Sequence, residues 1–236
     1  MPAELTFIGH ASFKLVTPQG KTLLIDPWLK DNPACPAEFK HFSGADLILI
    51  THGHGDHMDL EVLDQAARMG TRLIVPNPIR WFLIERGMDP NLFEGMNKGG
   101  TIEVMGIKVT MTQAFHHAQI NTAEGAGWLH EGVGYVLHLD NSRIYVAGDT
   151  CIFGDMRLIG DIYQPTLALL PIGDRFTMGP LEASHAIRLL GVKEVVPFHY
   201  GYIPALVGTP EELASLTQDI EGLNILALQP GETLPL

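Results

Sequence analysis

Short apolar runs bounded by turn residues predict that the first half of the chain forms strands followed by helices. Residues 5–7, 12–16 and 22–25 predict three strands of a β-meander. Residues 46–51 form a continuous apolar run, which is typical of a strand buried on both faces. Two helices are then predicted, from Asp59 to Met69 and from Asn77 to Gly87, with a strand at 73–75 between them.

The second half alternates strands and helices in a similar way. Strands are predicted at residues 107–112, 135–139, 143–147, 166–172, 194–196 and 225–228, and helices at 180–190 and 211–216. The glycine-rich stretch Gly125–Gly134 is predicted to be a loop. Two runs of strands each end in helices, and no linker interrupts the chain. We therefore predict an α/β (α+β) fold of two facing mixed sheets in one domain over residues 1–236.

Charge and hydropathy exclude several classes of function. The chain carries 15 Lys and Arg against 27 Asp and Glu, a formal net charge of -12, and the basic residues form no local cluster. Such a surface repels polyphosphate backbones, so no nucleic-acid partner is expected. The N-terminus has neither a basic nor an apolar leader segment, and no apolar run approaches the length of a membrane span. We expect a cytoplasmic protein with no membrane partner.

Cysteine and histidine usage point to a reducing compartment and to metal chemistry. Cys35 and Cys151 allow at most one disulfide, which fits a reducing compartment. Cys151 is predicted to be a small buried thiol. The chain has 11 histidines, and imidazole is the commonest metal-binding side chain. The spacing of the histidines therefore carries information about metal sites.

One segment places four candidate metal ligands directly after the buried strand of residues 46–51. These are His52, His54, Asp56 and His57, and the intervening glycines allow a tight loop to aim several donors at one point. The donor types suit Zn²⁺ and also admit Mn²⁺ or Fe²⁺. Chance gives this pattern in roughly one of a thousand such chains, so a metal-binding loop is predicted.

The His-x-His-x-Asp-His loop resembles the hallmark of the metallo-β-lactamase superfamily. The later motifs of that family follow in the expected order, at His116, Asp149 and His199. The resemblance covers essentially the whole chain and implies the metallo-β-lactamase fold, a four-layer αββα sandwich. The segments Gly9–Ser12 and Pro171–Pro180 are more narrowly similar to an uncharacterised metal-dependent hydrolase branch close to the ascorbate-6-phosphate lactonase type.

Carried over position by position, the resemblance implies a dinuclear site. The ligands that it implies are His52, His54 and His116 for the first ion, Asp56, His57 and His199 for the second, and Asp149 as the bridge. Asp56 and Asp149 are the carboxylates that it marks as catalytic. A hydroxide shared by the two ions would then be the nucleophile, so neither a serine nor a cysteine is required.

Several neighbouring residues are left with two interpretations each. His116 is preferred over His117 as the ligand, because adjacent residues of an extended chain point apart and His116 directly follows the Ala-Phe pair. His117 is then a solvated neighbour or a substrate contact. His10 either lines the site or is a hydrogen-bonded structural histidine. Asp26 is expected to support a ligand histidine, the alternative being a plain Asp-Pro turn.

Two further residues lie beyond the ligand motifs. Asp174 follows the predicted strand at 166–172 and forms either part of the substrate wall or a surface pair with Arg175. His130 lies in the glycine-rich stretch, from which it could reach substrate.

The function predicted from these features is that of a metal-dependent hydrolase (EC class 3) that cleaves a small lactone, ester, amide or phosphoester. The alternatives are a metal-dependent metabolite-binding protein without turnover, and a phosphodiesterase or nuclease of the same superfamily. Two divalent metal ions, Zn²⁺ foremost, are the expected cofactors. A small-molecule substrate is the expected partner, and the sequence is compatible with a homo-oligomer.

Overall fold

The computed structural model describes residues 2–122 and 125–236. The chain divides into two compact units, each built on one mixed sheet. The first unit comprises residues 1–97, 117–131 and 229–236, and the second comprises residues 98–116 and 132–228. The prediction of one domain over residues 1–236 stays a prediction.

The first sheet joins an antiparallel half to a parallel half. Its strands are β1 (Glu4–Gly9), β2 (Ser12–Val16), β3 (Thr22–Ile25), β4 (Leu47–Leu49), β5 (Arg72–Ile74), β6 (Phe93–Glu94) and β14 (Thr233–Pro235). Their order is β14-β1-β2-β3-β4-β5-β6. Pairing is antiparallel from β14 to β3 and parallel from β3 to β6. The parallel strand β4 is buried along its whole length, as its continuous apolar run predicts.

Two helices of the first unit share its core with the parallel strands. They are α1 (Leu60–Arg68) and α2 (Asn77–Glu85). The side chain of Asp59 caps α1 by accepting the Glu61 and Val62 N–H groups at 3.0 and 3.3 Å. One core cluster contains Leu63 of α1, Phe82 of α2 and Ile48 of β4. The helical spacing in the sequence therefore identifies both helices and the faces that they bury.

The second sheet has the reverse arrangement, with its parallel half at the C-terminal end. Its strands are β7 (Thr101–Val104), β8 (Ile107–Thr122), β9 (Gly125–His138), β10 (Arg143–Val146), β11 (Leu167–Pro171), β12 (Glu194–Phe198) and β13 (Asn224–Ile225). Their order is β13-β12-β11-β10-β9-β8-β7. The pairs from β10 to β13 are parallel, whereas β9–β10 and β7–β8 are antiparallel.

Three helices accompany the second sheet within the described residues. They are α3 (Met156–Tyr163), α4 (Pro180–Leu190) and α5 (Pro210–Leu216). Their apolar faces meet the parallel strands in a second core cluster that includes Ile159, Ile187 and Leu213. No helix in the described ranges has the length and apolar character needed to span a bilayer.

The sequence prediction is wrong for Gly125–Gly134, which forms part of strand β9 and not a loop. β9 lies between β8 and β10 in the second sheet, and pairing within the sheet outweighs the low strand propensity of glycine. At Gly134 the glycine is needed, because a Cβ atom there would lie 2.6 Å from Thr112 Oγ1 and 2.8 Å from the Val146 carbonyl oxygen. Helix α3 has no counterpart in the sequence prediction.

Cys151 is a second correction, since its side chain is exposed and not buried. Its backbone N–H donates to the Phe115 carbonyl oxygen at 3.3 Å, so the main chain is held while the thiol lies outside the core.

The contribution of Asp46 to the stability of the first sheet can be tested without bound metal. Its carboxylate accepts the Thr22 N–H and the Lys21 ammonium, both at 2.9 Å, and these contacts lower its pKa. A lowered folded-state pKa means that the contribution is present above about pH 4 and is lost as pH falls through that pKa. Asp46→Asn should lower the free energy of unfolding of chelator-treated protein by about 1 kcal/mol at pH 7 and by much less near pH 3.

Denaturant titrations at the two pH values measure this difference. The matched control is Asp31→Asn, because Asp31 is exposed, and it should leave stability unchanged. An equal loss for Asp46→Asn at both pH values would contradict the role of its charge.

Candidate functional site

The candidate metal loop begins where two parallel strands of the first unit end. Asp26 follows β3, and Thr51 and His52 follow β4 after one intervening residue. The strands are in register from Leu23↔Leu47 to Ile25↔Leu49, and the Asp26 N–H donates to the Leu49 carbonyl oxygen at 2.9 Å. Because parallel strands deliver their carboxyl ends to the same edge, Asp26 and the loop are brought together.

Asp26 is a buried carboxylate that accepts hydrogen bonds from Thr51 and His57. Its Oδ1 accepts the Thr51 N–H at 2.7 Å, and its Oδ2 accepts the Thr51 hydroxyl at 2.6 Å and lies 2.9 Å from His57 Nδ1. Burial raises its pKa, whereas His57 and Thr51 act in the opposite direction. Asp26 thus contacts a candidate ligand histidine, and its supporting role stays a prediction.

This network sets the tautomers of two ligand histidines. A carboxylate only accepts, so His57 carries its proton on Nδ1. The Thr51 hydroxyl donates to Asp26 and therefore accepts from His52 Nδ1, which is 3.0 Å away. In both rings the lone pair lies on Nε2, the form that a metal requires.

The donor set of the loop fits a divalent cation. His52 Nε2 and His54 Nδ1 lie 3.0 Å apart. Two nitrogens on one tetrahedral Zn²⁺ at about 2.0–2.1 Å would be about 3.3 Å apart, so a small adjustment of either ring suffices. Asp26 also lies within 4.8 Å of donor atoms of His52 and His57. Since its oxygens accept hydrogen bonds from Thr51 and His57, we interpret Asp26 as the acceptor behind the candidate ligands.

His10 joins this cluster from the end of β1. Its ring is buried, and its Nε2 lies 3.0 Å from Asp56 Oδ2. The ring also makes edge contacts with Trp28 and His57, at centroid distances of 5.5 and 5.6 Å. His10 is thus a buried, hydrogen-bonded histidine beside the candidate ligand Asp56, and both interpretations of it stay predictions.

The candidate ligands of the second unit follow parallel strands as well. Asp149 follows β10 and His199 follows β12, while Asp174 follows β11, which lies between them. His199 Nε2 lies 3.2 Å from Asp149 Oδ2, and His116 Nε2 lies 3.8 Å from the same oxygen. Asp149 and His199 are each 3% exposed. One buried carboxylate oxygen thus faces two imidazoles.

Backbone contacts hold this second cluster. The Thr150 hydroxyl accepts the Phe115 N–H at 3.0 Å, which ties the segment carrying His116 to the segment carrying Asp149. Gly173 lies so close to His199 that a Cβ atom would be 2.0 Å from the His199 carbonyl oxygen. Any larger residue at position 173 would displace the His199 backbone.

Asp174 is exposed, and its carboxylate accepts the Arg175 N–H at 2.7 Å. Its backbone N–H donates to the Met178 carbonyl oxygen at 3.0 Å, and its φ of 63° is left-handed. These contacts stabilise a tight loop after β11. Its role in a substrate wall stays a prediction.

His117 lies on β8 and His130 on β9, in the parts of these strands that belong to the first unit. His130 Nε2 accepts the Gly53 N–H at 3.0 Å, a contact that the sequence analysis missed because the two residues are 77 positions apart. Burial lowers the pKa of His130, with a smaller contribution from His54. The exposed His117 lines a cavity of about 400 Å³ together with Ala118, Leu129, His130 and Glu131.

The comparisons with known proteins agree with this fold and this donor chemistry. The family model described as the β-lactamase superfamily domain matches residues 4–199. The chain therefore belongs to this superfamily and has the metallo-β-lactamase fold that its motifs imply.

Within the superfamily the chain is a metal-dependent hydrolase with relatives of similar length. It is 46% identical over 234 residues to the UPF0173 metal-dependent hydrolase of Rubrobacter xylanophilus, covering 98% of this chain and 96% of the relative. It is 45% identical over 236 residues to that of Herpetosiphon aurantiacus, covering 97% and 95%. The narrower likeness to the ascorbate-6-phosphate lactonase type stays a prediction.

A solved structure agrees across the whole chain. Igni18, a metallo hydrolase from the archaeon Ignicoccus hospitalis, superposes with a TM-score of 0.85 and 29% identity, covering 100% of this chain and 99% of its own. An isothiocyanate hydrolase from Delia radicum gut bacteria has a TM-score of 0.73 at 19% identity, covering 99% and 98%, which shows the shared fold alone.

Asp26→Asn tests the acceptor behind the ligands. The amide cannot accept from both Thr51 and His57 as the carboxylate does, so we expect zinc affinity to fall at least about tenfold. Competition with a chromophoric chelator measures the affinity. Asp46→Asn, which changes a carboxylate of the same unit away from the loop, is the control. Unchanged affinity in Asp26→Asn would contradict the supporting role.

The adjacent histidines give a second test. His116→Ala should lose more bound metal than His117→Ala, because His116 contacts Asp149 whereas His117 lines an open cavity. Elemental analysis of both purified variants measures the loss. The reverse order would show that His117 is the ligand.

Proposed function

We propose that this protein hydrolyses a small lactone, ester, amide or phosphoester with the help of two divalent ions, zinc foremost. The proposed ligands are His52, His54 and His116 for one ion, Asp56, His57 and His199 for the other, and Asp149 for both. The observation that carries the proposal is the pair of ring nitrogens of His52 and His54, 3.0 Å apart on a loop oriented by a buried carboxylate.

Divalent ions bound there would acidify a water molecule and polarise the oxygen of the bond to be cleaved. The residues of the chain do the remaining work. Asp26 keeps the His57 proton on Nδ1, which leaves Nε2 in the basic form. Asp149, a buried carboxylate beside His116 and His199, supplies the negative charge that two neighbouring cations need.

The cavity of about 400 Å³ that His130 lines favours a small substrate. His130 is also hydrogen-bonded to the ligand loop through Gly53. A volume at the lower end of the usual range for ligand sites suits a small ester or lactone better than a polymer.

The test uses the purified full chain. Metal content is measured first, and turnover is then followed on an aryl ester, a γ-lactone, a thioester and a phosphodiester with Zn²⁺, Mn²⁺ or Fe²⁺ restored after chelation. We expect about two ions per chain and metal-dependent turnover of at least one class. Protein that binds no added metal would end the proposal. Two bound ions with no turnover would favour the metabolite-binding alternative.

Asp149→Asn distinguishes a shared carboxylate from a turn residue. The amide keeps the shape but removes the negative charge, so we expect loss of one ion and at least about a hundredfold lower activity. The fold should persist, because the core beside it is apolar. Metal analysis, turnover and thermal melting check this outcome. Asp155→Asn, at an exposed carboxylate of the same unit, is the matched control. Full activity with two ions in Asp149→Asn would remove Asp149 from the site.

A further inference from the structure

His130 lies on β9 and contacts the backbone of the metal loop. Its Nε2 accepts the N–H of Gly53 at 3.0 Å, and Gly53 is the residue between His52 and His54. His130 is 9% exposed. The contact therefore joins a buried side chain to the peptide that separates two candidate ligands.

Both ring nitrogens of His130 are committed to backbone groups. Nδ1 lies 3.3 Å from the Trp128 carbonyl oxygen, which can only accept, so Nδ1 carries the proton. The Gly53 N–H can only donate, so Nε2 carries the lone pair. This neutral tautomer satisfies both partners, and it occupies the nitrogen that would otherwise bind a metal.

Close steric contacts leave no room for a side chain at Gly53. A Cβ atom at Gly53 would lie 2.7 Å from Ile120 Cγ1 and 2.9 Å from His130 Cε1. Because glycine has no Cβ atom, the loop at Gly53 can approach β9 closely enough for the hydrogen bond to His130 to form. A substitution at position 53 would therefore push the loop away from His130.

We propose that His130 is a positioning residue for the metal site, which holds the Gly53 peptide so that His52 and His54 present their nitrogens to one ion. The proposal rests on the proposed function, since it presupposes that the loop binds metal. A fixed peptide between the two histidines lowers the conformational freedom that metal binding must remove. The ring acts through Gly53 and does not itself touch the ion.

Two conservative substitutions each keep one of the two hydrogen bonds of His130 and remove the other. In His130→Gln, Oε1 stands as many bonds from Cβ as Nε2 does, so the acceptor for Gly53 is kept. In His130→Asn, the amide N–H can donate to Trp128 as Nδ1 does, but no acceptor reaches Gly53. His130→Leu removes both bonds and keeps an apolar side chain, and His41→Leu, at an exposed histidine of the same unit, is the matched control.

The experiment measures Zn²⁺ affinity by chelator competition and the visible absorption of Co²⁺-substituted protein. We expect His130→Asn and His130→Leu to bind Zn²⁺ at least about tenfold more weakly than the wild type and to show altered Co²⁺ bands. His130→Gln and His41→Leu should stay within about threefold of the wild type. Thermal melting of the metal-free variants checks that each one folds.

Equal affinity in all variants would overturn the proposal, and so would an equal loss in His130→Gln and His130→Asn, because the acceptor would then not matter. Wild-type protein that binds neither Zn²⁺ nor Co²⁺ would instead refute the proposed function. The two failures are therefore distinguishable within one experiment.

Discussion

The buried carboxylate of Asp26 is the group on which the ligand loop depends. A carboxylate removed from water is costly unless donors surround it, and here Thr51 and His57 supply three hydrogen bonds. The same three bonds close the loop after β4 onto the end of β3 and direct two imidazoles. The hydrogen bonds that compensate the buried charge of Asp26 thus determine the backbone path of the loop. They also determine the proton positions and the orientation of the candidate ligand histidines.

The second unit reaches a comparable result with different residues. Its carboxylate, Asp149, faces His199 and His116 directly and is not placed behind them. The two units share a topological feature. In each unit parallel strands end side by side, so the polar residues that follow them lie at one edge of the sheet. The positions of the apolar strands therefore determine where the polar residues of the candidate site lie.

Much of this arrangement is predictable from sequence because its signals are local. The motif His52–His57, the cap residue Asp59 of α1 and the helix from Pro180 to Leu190 depend on spacings within a few residues. The failures have non-local causes. The glycine-rich segment is a strand because β9 is held between neighbouring strands of the sheet, and the contact of His130 with Gly53 joins residues 77 positions apart. Such contacts depend on the tertiary fold, which spacing does not encode.

Three residues of the candidate site have a left-handed backbone although they are not glycine. Among the described residues, His10, Asp26 and His199 have φ values of 56°, 45° and 57°. Such a conformation costs a side-chain-bearing residue about 1 kcal/mol or more, which glycine would not incur. Glycine at His10 or His199 would relieve this backbone strain, whereas at Asp26 it would also leave the Thr51 and His57 donors without their acceptor. Relief of the strain at His10 and His199 would remove one imidazole at each position, so backbone relaxation and metal chemistry compete for the same residues of this protein.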